Sequence, residues 1–166
     1  MKIINAGVTA PKGFKCAGLR AGVKSGKTNK DMAMIVSEVP AKIAGTFTKN
    51  IVKAAPVLWG KKIVEEQEAV RAVVINTGIA NACTGAQGYE NVVTEAKEVA
   101  KLLDIKPEEV VVGSTGVIGQ QLPMDVIKEG IKKLVPELKA DRQSEEDASW
   151  AILTTDTKPK EAAVEV

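Results

Sequence analysis

Residues 110–120 read Val110-Val111-Val112-Gly113-Ser114-Thr115-Gly116-Val117-Ile118-Gly119-Gln120. The three valines predict a short buried strand, because β-branched residues favour strands. The glycines that follow predict an abrupt turn that lets the backbone come close to a ligand. A hydroxyl next to a glycine amide offers two convergent hydrogen-bond donors, which an acyl-transfer site needs where a carbonyl oxygen becomes negative. An ordinary turn between a strand and a helix is the more frequent meaning of so short a motif, so the rest of the chain has to decide.

The composition is typical of a globular protein with a mixed-charge surface. Of the 166 residues, 45% are hydrophobic and 27% are charged, and the net charge is +2. That charge is too small to indicate binding to nucleic acid or to an acidic membrane surface. No apolar run approaches the ~20 residues that span a bilayer, and the first residues lack the apolar core of a signal peptide. We therefore expect a single cytoplasmic domain.

The chain contains two cysteines, Cys16 and Cys83, and no histidine. Two isolated cysteines do not make the ligand pairs of a zinc site, so the sequence predicts no metal, and it leaves a disulfide open. Without histidine this chain cannot form a Ser-His-Asp or a Cys-His arrangement. Any acyl chemistry needs another base, such as a lysine, a carboxylate or an α-amino group. Gly26-Lys27-Thr28, in a predicted polar loop, fails as a phosphate-binding motif because Ala21 stands where that motif needs its first glycine.

The pattern of apolar residues predicts a mixture of strands and helices. Strands are predicted at 33–36, 44–48, 69–75 and 110–112, with Pro40 in a turn and a long loop over 76–88. Helices are predicted over 91–103, from 122 to Pro136, and from a capping box at Ser144 through Leu153. In the first of these helices we expect Glu95 on the solvent side with the other charged residues.

Six motifs occur in the order in which one known family carries them. They are Gly7-Val8-Thr9-Ala10-Pro11-Lys12-Gly13-Phe14, Ala44-Gly45-Thr46-Phe47-Thr48-Lys49-Asn50, Ala54-Ala55-Pro56-Val57, Asn76-Thr77-Gly78-Ile79-Ala80-Asn81-Ala82-Cys83-Thr84-Gly85, Gly113-Ser114-Thr115-Gly116-Val117-Ile118-Gly119 and Thr154-Thr155-Asp156-Thr157. Each motif alone is weak, and the six together cover nearly the whole chain. The chain resembles the N-terminal, α part of the glutamate N-acetyltransferases of arginine biosynthesis, also called ornithine acetyltransferases.

The resemblance implies an α/β fold, a layered α-β-β-α sandwich of the type found in ornithine acetyltransferases and in self-cleaving aminopeptidases with an N-terminal nucleophile. Residues 1–166 would form a single domain, the α chain of a precursor that cuts itself before a threonine. That threonine would lie beyond position 166, begin the β chain and act as the nucleophile, with its own α-amino group as base. The expected assembly contains two α and two β chains.

The same resemblance implies the reaction and the site residues. The acetyl group would pass from N-acetylornithine to the nucleophilic threonine and then to glutamate, without a cofactor, a nucleic acid or a membrane. The Thr115 hydroxyl and the Gly116 amide would form the oxyanion hole. Thr154 or Thr155 would contact the substrate, and Thr154 is preferred. Asn76 and Asn81 would support the site, and a valine at position 116 would crowd the acyl group.

Three alternatives stay open at this point. A related self-cleaving aminopeptidase would use the same Thr-Gly motif and release a free amino acid from a peptide. A non-catalytic domain that binds a small ligand would fold and bind without a second chain. The sequence also does not decide whether acetyl-CoA is a further donor, which would add amino-acid N-acetyltransferase activity.

Overall fold

The computed structural model describes residues 1–26, 28–67 and 69–166. In it, the two apolar runs at 69–75 and 110–112, both rich in β-branched residues, lie side by side as neighbouring strands. Its strands are β1 (Lys2–Ile4), β2 (Phe14–Leu19), β3 (Met32–Lys42), β4 (Ala69–Ile79), β5 (Val110–Val117) and β6 (Ala163–Glu165). Strands β2, β3, β4 and β5 form one sheet in that order, and β1 and β6 form a small second sheet. All neighbouring strands are antiparallel except β4 and β5, which are parallel.

Helices cover both faces of the larger sheet. They are α1 (Ala55–Glu66), α2 (Gly85–Leu103), α3 (Met124–Leu134) and α4 (Arg142–Ala151), with short 3-10 turns at Pro107–Glu109 and Val135–Glu137. Helices α1, α2 and α3 pack on one face over the main core, and α4 packs on β2 and β3 on the other. Helix α2 also carries the chain from β4 to its parallel neighbour β5, a connection that parallel strands require.

Alternation along the strands divides the apolar side chains between the two faces. Met32, Met34 and Val74 belong to the main core, whereas Cys16 and Ala33 pack against α4. The stripe predicted for the third helix is confirmed, because its three apolar members are completely buried: Ile127, Ile131 and Leu134. Burying one such side chain stabilises the fold by about 1.5–3 kcal/mol.

Strands β4 and β5 continue beyond the apolar runs that predict them. The predicted turn at Gly113 is wrong, since β5 runs to Val117, and the loop predicted over 76–88 is confirmed only for residues 80–84, between the end of β4 and the start of α2. The parallel ladder pairs Ile75 with Gly113 and continues in register to Ile79 and Val117. The hydrogen bonds of this ladder outweigh the low strand propensity of the glycines.

The first half of the sheet also differs from the prediction. Pro40 lies inside β3 rather than in a turn, within a register shift between Val36 and Ala41 where a missing amide does no harm. Residues 44–48 form no strand, because the register of β3 on β4 ends with Lys42 opposite Ala69, the first residue of β4. Strand β2 escaped prediction because its sequence is short and only weakly apolar.

Two helix predictions need correction. Helix α2 begins at Gly85, six residues before its predicted start, and Glu95 is fully buried rather than on the solvent side. Burial raises the pKa of Glu95 to about 8, and within the described chain neither carboxyl oxygen has a hydrogen-bond partner. Helix α4 is capped by Asp141, whose side chain accepts the Ser144 amide at 2.8 Å, so Ser144 lies inside the helix instead of capping it.

The remaining predictions about the chain concern the membrane and the polar loop. Among the helices of the described residues, none combines the length and the apolar character that crossing a membrane requires. The polar loop predicted around Gly26-Lys27-Thr28 includes Lys27, which lies outside the described residues.

Candidate active site

The carboxyl ends of β4 and β5 open into a cavity of about 620 Å³. Its lining comes from four separate parts of the chain: Val23, Lys24, Ser25, Gly78, Ile79, Thr115, Gly116, Val117, Gln120, Thr154 and Thr155. All four residues that the sequence predicts for the site therefore line one cavity. This placement assigns no role to any of them, and their roles stay predictions.

The base of the cavity is the backbone of two parallel strands. Thr77 pairs with Thr115 and Gly78 with Gly116, so the Thr-Gly sequence recurs side by side on β4 and β5. Gly116 has a φ of +138°, which side-chain-bearing residues rarely adopt. A Cβ atom there would overlap the backbone of Gly78 and lie 2.7 Å from the Ile79 nitrogen. The expectation that a larger residue at 116 would crowd an acyl group therefore needs correction, since it would first collide with β4.

The segment after α4 forms the side of the cavity that holds Thr154 and Thr155. Both threonines are exposed and line the cavity. The Thr77 hydroxyl donates to the Ala151 carbonyl at 2.9 Å and fixes the last turn of α4 to the end of β4. The helix thus delivers the threonine pair to the edge of the sheet where Thr115 lies.

Asn76 and Asn81 are completely buried, and neither is among the residues that line the cavity. The Asn76 amide donates to the Ile79 carbonyl at 3.0 Å, and the Asn81 amide donates to the Gly88 carbonyl at 2.9 Å. These contacts brace the chain on either side of the turn between β4 and α2. Support of the backbone beside the cavity is thus what their contacts provide.

Sequence reasoning missed Val23, Lys24, Ser25 and Gln120 as lining residues. The first three lie where a weakly apolar segment passes into the predicted polar loop, and no local signal places them beside β4. Ser114, by contrast, is not among the lining residues, and its hydroxyl is buried without a partner in the described structure. Of the Ser-Thr pair, Thr115 is therefore the residue that borders the cavity.

The lining residues can donate hydrogen bonds but supply few bases. Within the described part of the chain no carboxylate lines the cavity, and no cluster of three or more His, Cys, Asp or Glu side chains could hold a metal ion. Cys16 and Cys83 are both free thiols, which closes the question of a disulfide. The arrangement suits stabilisation of a negative oxygen by hydrogen-bond donors, which here are hydroxyls, backbone amides and the Lys24 ammonium.

Sequence comparison relates the chain to proteins of arginine biosynthesis. Residues 15–166 match the ArgJ family. The arginine biosynthesis bifunctional protein ArgJ of Streptococcus mutans is 48% identical over 164 residues, which cover 99% of this chain and 40% of that protein. The chloroplastic ArgJ of Citrullus lanatus is 44% identical over 99% of this chain and 36% of its own length. The chain thus spans about 40% of the length of these curated relatives.

Solved structures share the fold. The ornithine acetyltransferase of Mycobacterium tuberculosis, solved in complex with ornithine, superposes with a TM-score of 0.92 at 40% identity, over 97% of this chain and 86% of that one. The arginine biosynthesis bifunctional protein ArgJ of Bacillus halodurans gives a TM-score of 0.89 at 40% identity, over 95% and 81% of the two chains. The predicted α/β layered sandwich and the predicted family resemblance are both confirmed.

Proposed function

Because this chain belongs to the ArgJ family, we propose that it is the α chain of an acetyltransferase that moves the acetyl group of N-acetylornithine to glutamate. The observation that carries the proposal is the meeting of Thr115, Gly116, Thr154 and Thr155 around one cavity. These residues come from β5 and from the segment after α4, which are far apart in sequence. An ordinary strand end would not need two separate groups of hydroxyls around one opening.

In the proposed reaction, a threonine at the amino terminus of the β chain attacks the acetyl carbonyl. Its hydroxyl oxygen bonds to the carbonyl carbon, its proton passes to its own α-amino group, and negative charge develops on the carbonyl oxygen. The Thr115 hydroxyl and the Gly116 amide donate to that oxygen. One such donor lowers the barrier by about 3 kcal/mol. Collapse of the intermediate protonates and releases the ornithine amine and leaves an acetyl-threonine ester.

The second half of the cycle reverses the first with another amine. The glutamate amine attacks the acetyl-threonine carbonyl, the same two donors stabilise the oxygen, and N-acetylglutamate leaves as the threonine hydroxyl is restored. Thr154, with Thr155 beside it, binds the substrate at the open side of the cavity. No cofactor takes part, because the acetyl group travels on the threonine alone.

The proposal also covers the organisation of the protein. Residues 1–166 form one domain, the α chain of a self-cleaved precursor, and it assembles with its β chain as two copies of each. Two observations support a second polypeptide: the chain spans about 40% of the length of the curated relatives, and the described lining residues include no carboxylate and no histidine to act as a base. The bifunctional names of those relatives favour amino-acid N-acetyltransferase activity as a second reaction of the assembled enzyme.

Intact mass spectrometry and a transfer assay test this function together. The mass spectrum should show a second chain that begins with threonine, and acetyl transfer from N-acetylornithine to glutamate should follow ping-pong kinetics. Thr115→Ala should lower kcat by about 100-fold, because one oxyanion donor is lost, while the chains still assemble. Thr94→Ala, on the outside of α2, is the matched control. Full turnover by Thr115→Ala would contradict the oxyanion role, and release of free amino acids from peptides would favour the aminopeptidase.

A further inference from the structure

A buried carboxylate organises the loop that forms one wall of the cavity. Asp31, at the start of β3, is completely buried. Its carboxylate accepts the Ala21 amide at 2.6 Å and the Lys24 amide at 2.9 Å. The Gly22 amide contacts both of its oxygens, at 3.1 and 3.3 Å. Hydrogen bonds from several amides to one carboxylate are strong, so residues 21–24 are held as a rigid turn.

The backbone of the same aspartate holds the end of β4. The Asp31 carbonyl accepts the Thr77 amide at 2.8 Å, and the Thr77 hydroxyl approaches that carbonyl at 3.4 Å. Thr77 immediately precedes Gly78, which lines the cavity opposite Gly116. One buried residue therefore fixes both the loop wall and the base of the cavity.

Lys24 connects this loop to the segment after α4, which forms the side of the cavity that holds Thr154 and Thr155. Its amide is held by Asp31, and its ammonium donates to the Leu153 carbonyl at 2.6 Å and to the Lys30 carbonyl at 3.4 Å. Leu153 shares its peptide group with Thr154, so the ammonium restrains the backbone from which the Thr154 side chain projects. The ammonium thus joins backbone carbonyls of two separate segments, which is the arrangement of a brace.

We infer that Asp31 and Lys24 act together as positioning residues for acetyl transfer, by fixing Thr154 relative to Thr115 and Gly116. This inference rests on the proposed function. We call this pair the Asp31–Lys24 clasp. Asp31 is not among the residues that line the cavity, and Lys24 acts on Thr154 through the Leu153 carbonyl. A misplacement of about 1 Å can cost an enzyme on the order of 100-fold in rate, so a brace at this point is worth a measurable part of the catalysis.

The test compares variants of the complete enzyme, with all of its chains. Lys24→Met removes the donor and should lower kcat/KM for N-acetylornithine by about 10- to 100-fold. Lys24→Arg keeps a cationic donor and should recover most of that loss, whereas Lys61→Met, on the exposed side of α1, should leave kcat/KM unchanged. Asp31→Asn should produce a loss of the same kind. Because the two residues act in series, the double variant should be no more than about threefold worse than the poorer single variant.

Hydrogen exchange gives a readout that does not depend on turnover. In Lys24→Met, peptides covering 150–156 should exchange faster than in the wild type, and Lys24→Arg should restore their protection. Peptides from α1 should not change. A merely local role in stability would lower the melting temperature without the arginine rescue of kcat/KM and without the lack of additivity.

The possible outcomes separate this inference from the function on which it rests. If the wild-type enzyme transfers acetyl groups and Lys24→Met has an unchanged kcat/KM, the inference about the clasp is overturned. Fully additive losses in the double variant would overturn it as well. Neither result would contradict the proposed acetyltransferase function. Absence of transfer in the wild-type enzyme would refute the proposed function. In that case the exchange data alone would decide on the clasp, because unchanged protection over 150–156 would overturn it and rescuable loss of protection would support it.

Discussion

Replacing Glu95 by glutamine should stabilise the protein at neutral pH. The carboxyl group is fully buried, and burial alone raises its pKa from 4.5 to about 8. At pH 7 the folded protein therefore holds a proton that the unfolded chain has released. Glutamine has nearly the same shape, cannot ionise and leaves the same number of polar groups without partners. Folding of the variant takes up no proton, so it avoids that cost.

The size of the effect follows from the pH range over which the two states differ. Below about pH 4.5 the carboxyl group is protonated in both states, and above about pH 8 it is ionised in both. Between these values the stability of the wild type falls by about 1.4 kcal/mol for each pH unit that the pH rises. The advantage of Glu95→Gln should therefore grow by about 3 kcal/mol from pH 5 to pH 7.

Urea unfolding at pH 5, 6 and 7, followed by tryptophan fluorescence, to which the buried Trp59 contributes, measures this difference. Glu90→Gln is the matched control, because Glu90 is exposed on the same helix and should show the pH dependence of the wild type. If Glu95→Gln and the wild type kept a constant difference over this range, Glu95 would not be a protonated acid in the folded state. The reasoning from burial would then be refuted.

Two further predictions concern the backbone of the cavity and the thiols. Gly116→Ala should lower the melting temperature by about 5 °C, because strain at a positive φ costs about 1–3 kcal/mol. It should also abolish acetyl transfer. If calorimetry showed the variant to be as stable as the wild type, the overlap of the added methyl group with β4 would be contradicted. A thiol reagent at pH 8 should modify Cys83 and spare Cys16 until the protein unfolds, because burial, reinforced by nearby carboxylates, raises the pKa of Cys16 to about 11. Two equally reactive thiols in the folded protein would show that Cys16 is not shielded.

The sequence predicts those elements in which one physical signal dominates. The stripe of α3 is such a case, because Ile127, Ile131 and Leu134 recur at helical spacing with no competing feature. Prediction failed where pairing between distant strands decides the outcome. The glycines of β5 have low strand propensity and become strand only because β4 lies in register beside them. The exposure predicted for Glu95 was wrong for a different reason. A charged residue is normally exposed, and nothing in the local sequence shows that packing will bury this one.

The candidate site divides in the same way. Thr115, Gly116 and the pair Thr154-Thr155 carry motifs that a reader of the sequence can find. Lys24 and Asp31 carry none, because their importance depends on hydrogen bonds to backbone groups that lie far away along the chain, such as the Leu153 carbonyl. Contacts between a side chain and a distant backbone group leave no pattern in a single sequence. The part that Lys24 and Asp31 play in the site could therefore be identified only from the folded structure.

The cavity is formed partly by strand backbone and partly by connecting segments, and these two parts can change at different rates during evolution. Its base is main chain locked in a parallel ladder, where even one added methyl group at Gly116 is excluded, whereas its sides are formed by connecting segments, whose side chains can change without breaking the ladder. If the proposed function holds, descendants of such a protein could acquire a new acyl donor or acceptor by altering the sides while they inherit the backbone of the base intact. Reaction type and substrate choice would then evolve as separate traits on one scaffold.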